Sequence, residues 1–156
     1  MPMSICQEAG PLQQERFMKL SIQWFQNIGP NYLWRLRLIP VVILNGRKFT
    51  PPFNAFLHVF LRSDHDRALH DHPWASTSIN IWGKCREIYM HDTPRVFVER
   101  CRTIPWLKPV HRPASWRHMM ILDSKFAVTL FFVGFKVREW GFWPNNIFVH
   151  YKDYLK

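Results

Sequence analysis

Leu69-His70-Asp71-His72-Pro73 is the stretch from which the fold of this 156-residue chain is best read. Its two imidazoles stand one residue apart, just ahead of a segment with the composition of a strand. Side chains at i and i+2 of an extended segment share a face, so His70 and His72 can converge on one point. Two converging neutral imidazoles begin a metal site. The spacing alone is one that chance supplies in a chain with eight histidines, so the rest of the sequence has to decide.

Outward from this pair the chain reads as short strands. Tyr32 to Leu44 is aliphatic, β-branched and aromatic, with an expected break at Pro40. Ala55 to Arg62 alternates, placing Phe56, His58, Phe60 and Arg62 on one face. Ser76 to Trp82, Cys85 to His91, Arg95 to Arg100, Met119 to Leu122, Phe126 to Val133, Lys136 to Trp140 and Ile147 to Tyr151 follow. Turn residues separate them at short intervals: Asn45-Gly46, Trp82-Gly83-Lys84, Asp92-Thr93-Pro94, Asp123-Ser124. Many short strands at such spacing predict an all-β antiparallel sandwich or barrel. The exception is the N-terminus. Residues 1–10 read as a loose tail, and Phe17, Leu20, Trp24 and Ile28 repeat at helical spacing, so one amphipathic helix is expected over about 11–29, closed by Gly29-Pro30. No second-domain boundary interrupts residues 11–156, which read as one domain.

Composition narrows the class. Hydrophobic residues make up 47% and aromatics 16%, which excludes a disordered chain and predicts an aromatic-rich interior. Cys6, Cys85 and Cys101 form neither a metal spacing nor an even disulfide set, and no secretory signal or membrane-length apolar run is present. A reduced, cytoplasmic protein is the expectation. The net charge of +10 raises nucleic acid as a partner. The basic residues are scattered rather than clustered in a recognition motif, so a soluble basic surface is the preferred reading.

His118 supplies the second half of the argument. With Pro113-Ala114-Ser115-Trp116-Arg117-His118 in view, the sequence resembles the cupin superfamily, whose two short signatures lie on a small antiparallel barrel. The first signature matches as His70-x-His72, three residues, Ser76 where Glu is usual, six residues, then Gly83. The second matches as Pro113-x-Ser115, two residues, then His118. The 23 residues from Lys84 to Trp106 lie between the two. Asp64 and Leu107 stand where the opening glycines would be, Ser115 replaces the inner Gly, and Leu122 replaces Asn. The stretch Thr129 to Phe132 followed by Arg138 to Phe142 is similar to small single-domain, RmlC-like cupins of unknown function in bacteria and their phages.

The resemblance implies a cupin jelly-roll barrel and a metal held by His70, His72 and His118. Glu, the usual fourth ligand, is replaced at Ser76, while Glu87 supplies a carboxylate if its strand turns that face inward. Three neutral ligands leave a divalent ion's charge uncompensated and its coordination open, which favours a small anionic substrate. By analogy with thiol dioxygenases, cupins with a three-His iron centre, a non-haem Fe(II) dioxygenase is the leading expectation; zinc or nickel suit the same ligands. Strand alternation puts Ser78 and Asn80 on the face of Ser76, a polar run that suits a pocket. Arg62 and Arg67 are candidates to clamp the anion. The competing reading is a non-catalytic, ligand-sensing or regulatory cupin whose basic surface meets nucleic acid or a protein partner. A homodimer is a further expectation. A metal-free sugar isomerase or epimerase would want an inward His–carboxylate pair, which the sequence does not display.

Overall fold

The structure is a computed structural model that describes residues 19–64, 68–92 and 97–156. In chain order its strands are β1 (Leu20–Ile28), β2 (Leu33–Leu44), β3 (Arg47–Phe49), β4 (Asn54–Phe60), β5 (Ser76–Trp82), β6 (Cys85–Asp92) and β7 (Phe97–Thr103). They continue as β8 (Pro109–Arg112), β9 (His118–Leu122), β10 (Ala127–Val133), β11 (Gly141–Phe142) and β12 (Val149–His150), and the chain closes with a short helix, α1 (Tyr151–Tyr154). The larger sheet runs β1-β2-β4-β10-β5-β8, with β3 on the edge of β2; a second sheet runs β7-β6-β9, and β11 pairs with β12. Every strand pairing is antiparallel.

The expected N-terminal helix is corrected. Residues 11–18, like the expected tail at 1–10, lie outside the described residues, but Leu20–Ile28 is a strand hydrogen-bonded to β2. Leu20-Ser21-Ile22-Gln23-Trp24 also alternates with period two, and β-branched and aromatic side chains fit a pleated surface better than a helix. Pairing with β2 decides between the two periods. Gly29 and Asn31, at φ 68 and 51, turn the resulting hairpin rather than cap a helix. Nor does Pro40 break β2. It lies between Leu36 and Val41, where β1 shifts register around Trp24 and β4 has stopped pairing, so no ladder bond needs its missing N–H.

Near the C-terminus the expected strand at 136–140 is irregular, and only Val149–His150 of the 147–151 stretch is extended before the chain enters α1. Strand β8 was not expected at all. It is four residues long and begins on a proline, yet it carries Arg112 into the interior.

The larger sheet is inverted relative to its composition. On β2 the large apolar side chains of Trp34, Leu36 and Leu38 face out, while Leu33, Arg35 and Arg37 turn inward. Phe25 and Phe49 extend the same exposed outer face on neighbouring strands. On β5 the buried set is Ser76, Ser78 and Asn80, with Thr77, Ile79 and Ile81 only half-buried. An apolar cluster of Cys85, Ile104 and Val110, flanked by Met120 and Leu122, borders an interior cavity through Ile104 and Met120. This cavity, between the sheets, is about 420 Å³, within the range of small-molecule sites. No helix among the described residues is long and apolar enough to cross a membrane.

Candidate metal centre

Backbone pairing brings the three histidines together. His70 and His118 form an isolated antiparallel bridge, exchanging N–H···O bonds of 3.0 and 2.9 Å. Residues directly opposite in such a pair project to the same side, and His72, two residues along an extended segment, joins them. The ring centroids form a nearly equilateral triangle, with separations of 5.1, 5.1 and 5.2 Å. One ligand nitrogen from each ring lies within 4.8 Å of the others.

Asp71, between the two histidines, points the opposite way and is fully buried. Its Oδ1 accepts from the Gly141 backbone N–H at 2.9 Å, and its Oδ2 accepts from Arg138 at 2.7 Å and Trp143 Nε1 at 3.1 Å. Further backbone bonds run from Trp143 to Leu69 and from Val137 to Pro73. The segment 137–143 thereby clamps the His-x-His strand in place. Gly141 has to be glycine for this approach, because a Cβ there would stand 2.2 Å from the Val149 carbonyl oxygen. Trp140 lies over His72 with ring planes 19° apart and stacks in turn on Tyr151.

Buried carboxylates stand behind two of the imidazoles. Asp64 Oδ2 is 3.3 Å from His70 Nδ1, and Glu87 Oε1 is 2.7 Å from His118 Nδ1. At His118 a carboxylate against Nδ1 favours the tautomer whose lone pair is on Nε2, the nitrogen that faces His72. Glu87 is fully buried and also receives Arg112 Nε at 2.5 Å, Arg102 Nε at 2.7 Å and Trp116 Nε1 at 3.1 Å. Burial alone would raise its carboxyl, but contact with His118 and Arg112 outweighs this and holds it well below the usual carboxylate range. Burial lowers the His118 imidazole, opposed by Glu87 and aided by the charges of Arg112 and Arg102; His72 is lowered well below its ordinary value, by burial and then by its neighbouring imidazoles.

These nitrogens fit a divalent ion. His72 Nε2 and His118 Nε2 are 2.9 Å apart, which is about the separation of two nitrogens bound at right angles, each ~2.0–2.1 Å from one ion. Neutral imidazoles aimed at one point by carboxylates behind them are the donor set such an ion requires.

The other residues singled out in the sequence fall in different places. Ser78 lines the cavity and accepts from Arg112 Nη1 at 2.7 Å. Ser76 is buried on the same strand face but is not part of the cavity wall, and Asn80 turns its amide to the Gly83 carbonyl at 2.9 Å. Glu87 stands on the Nδ1 side of His118 and is not among the three side chains that converge. Arg62 lies over the Tyr32 ring at 5.6 Å and away from the main cavity; Arg67 lies outside the described residues. Gly83, at φ 79, packs so tightly on the Phe126 carbonyl that no Cβ would fit.

Arg35, His58, Asp64, Arg112 and Thr129 were not read as site residues. Arg35, His58 and Thr129 line the same cavity as the imidazoles. Arg35 Nε donates to His58 Nε2 at 2.9 Å. Burial and the charge of Arg37 pull the Arg35 guanidinium down to about 10, which leaves it charged at neutral pH. A signal existed in Trp34-Arg35-Leu36-Arg37-Leu38, where arginines alternate with large apolar residues, but the usual rule buries the apolar face and so points the arginines outward.

No known family's sequence profile matches the chain, and no curated protein matches it in sequence. Its fold is similar to solved cupin-fold structures. Fe(II) HppE shares 11% identity at a TM-score of 0.50, over 81% of this chain and 62% of that one. Fe(II)-HppE with the alternative substrate (S)-1-HPP shares 12% at a TM-score of 0.50, over 74% and 56%. The DMSP lyase DddQ from Ruegeria pomeroyi DSS-3 shares 14% at a TM-score of 0.47, over 69% and 49%. The chain spans between about half and two thirds of the length of these structures.

Proposed function

From a cupin-like antiparallel fold with three convergent imidazoles, we propose a metal-dependent enzyme acting on a small anionic molecule. One divalent ion would be held by His70, His72 and His118, and the two sheets would act as the walls of a cupin barrel. The observation that carries this reading is the convergence of three imidazoles on one point of a cavity wall, with buried carboxylates close to Nδ1 of His70 and His118.

The charges around the cavity support an anion. Glu87 faces two guanidiniums, and Arg35 adds a third positive charge with no carboxylate paired to it among the described residues. An ion at the three histidines would supply Lewis acidity with open coordination positions and, if it is Fe(II), the redox chemistry of an O2-using dioxygenase. The chain's own part is to hold the substrate's anionic group on the charged wall near Arg35, in the cavity that the imidazoles share, while apolar side chains such as Phe131, Trp140 and Phe142 exclude water.

The test is metal content and O2 uptake. Protein purified without chelator is expected to carry iron, and to consume O2 when given a small thiol or carboxylic acid, with uptake abolished by chelation. Zinc-only protein with no uptake would overturn the dioxygenase reading. Salt-sensitive nucleic-acid binding that survives chelation would favour the regulatory alternative instead.

A further inference from the structure

A row of polar side chains crosses the inner face of the larger sheet. Strand register sets Arg35 of β2 opposite His58 of β4, His58 opposite Thr129 of β10, and Thr129 opposite Asn80 of β5. Residues opposite one another across antiparallel strands share a face, and the first three line the cavity that the imidazoles also line. Phe131 connects the two groups, its ring 4.8 Å from His58 and 6.4 Å from His72.

Within this row Arg35 carries the positive charge, and no carboxylate pairs with it among the described residues. Its Nε bond to His58 is its only hydrogen bond among the described residues, and its guanidinium carbon lies 4.7 Å from the centre of the Phe56 ring. His58 is itself held between Phe56 and Phe131, so it fixes the guanidinium without neutralising it. The terminal nitrogens of a guanidinium form a planar fork that matches a carboxylate, and a charge kept on a half-buried wall favours an anion there. Most of the remaining wall is apolar, including Leu33, Phe60, Ile104 and Met120.

We propose that Arg35, with the Thr129 hydroxyl two strands away, binds the carboxylate of an organic acid whose apolar body fills the cavity toward the three imidazoles. This rests on the reading of the cavity as a small-anion site and names the substrate class: an aliphatic or aromatic carboxylic acid, rather than an inorganic anion or a sugar.

The experiment is calorimetric titration of the metal-loaded protein with hexanoate, and with hexanol as the neutral control. Hexanoate is expected to bind in the millimolar range or tighter and hexanol about ten- to hundredfold more weakly; Arg35→Met should weaken hexanoate by a similar factor while metal content stays at the wild-type level. Should Arg35→Met fail to fold, Thr129→Val and Arg35→Lys carry the same test, each expected to weaken hexanoate several-fold and leave hexanol unchanged. Equal binding of hexanoate and hexanol, no hexanoate binding by the wild type, or wild-type hexanoate affinity in the Arg35 variants would overturn the proposal. If the affinity is lost only in His72→Ala, the anion sits at the metal, and the enzyme reading survives without Arg35. If no metal binds but hexanoate binding still depends on Arg35, the acid site stands and the metal reading falls.

Discussion

At the scale of single residues, His58 shows how the interior handles charge. Burial, reinforced by the charge of Arg35, drives its pKa well below 6.5, so it stays neutral in the folded protein while the unfolded chain takes up a proton. A depressed folded pKa gives stability that is complete above pH 6.5 and is lost as pH falls below it, at up to about 1.4 kcal/mol per pH unit for one group. His58→Gln keeps an acceptor for Arg35 but does not titrate. The variant is expected to be about 1 kcal/mol less stable at pH 8, with the difference from wild type narrowing as denaturation curves are taken down to pH 5. Parallel stability curves would show that His58 titrates normally.

At the scale of elements, β6 and β9 form a unit in which a strand carries a ligand and its neighbour carries the group that aims it. Glu87 on β6 stands behind His118 on β9, and Arg112 on β8 closes the network from the other sheet. Glu87→Gln leaves Arg112 buried without a counter-charge, so a loss of about 3–5 kcal/mol in chemical denaturation is expected. Where the variant is still folded, its metal affinity should fall about ten- to hundredfold. Unchanged affinity in the folded variant would mean that the carboxylate serves packing alone.

The element scale also explains what the sequence could and could not tell. His70, His72 and His118 were legible because two short signatures kept register across the intervening residues, and β5 was legible because its polar and apolar residues alternate. Three other features were hidden for physical reasons. Leu20–Ile28 satisfies both a helical and a period-two pattern, and only its partner β2 selects the strand. Strand β8 is too short and too proline-marked to signal itself, although it delivers Arg112. Asp64 occupied the place of a motif glycine, so its value as the carboxylate behind His70 emerged only from the fold.

At the scale of the whole molecule, the larger sheet buries arginine, serine and histidine and leaves Trp34, Leu36 and Leu38 outside. Arg62, which shares a face with Phe56 and Phe60, and Arg67, just before the His-x-His motif, were the clamp candidates, while a reading that buries apolar faces passes over Arg35. The inversion makes sense if the interior is a chemical site first and a core second, with the apolar cluster of Cys85, Ile104 and Val110 beside the cavity. The interior's purpose then rests on one claim: that the three imidazoles hold a metal ion. Elemental analysis of protein purified without chelator, alongside His72→Ala and His118→Ala, measures it directly. About one divalent ion per chain is expected in the wild type, falling to near zero in both variants while each stays folded. Metal absent from the wild type, or equally abundant in all three proteins, would contradict the account.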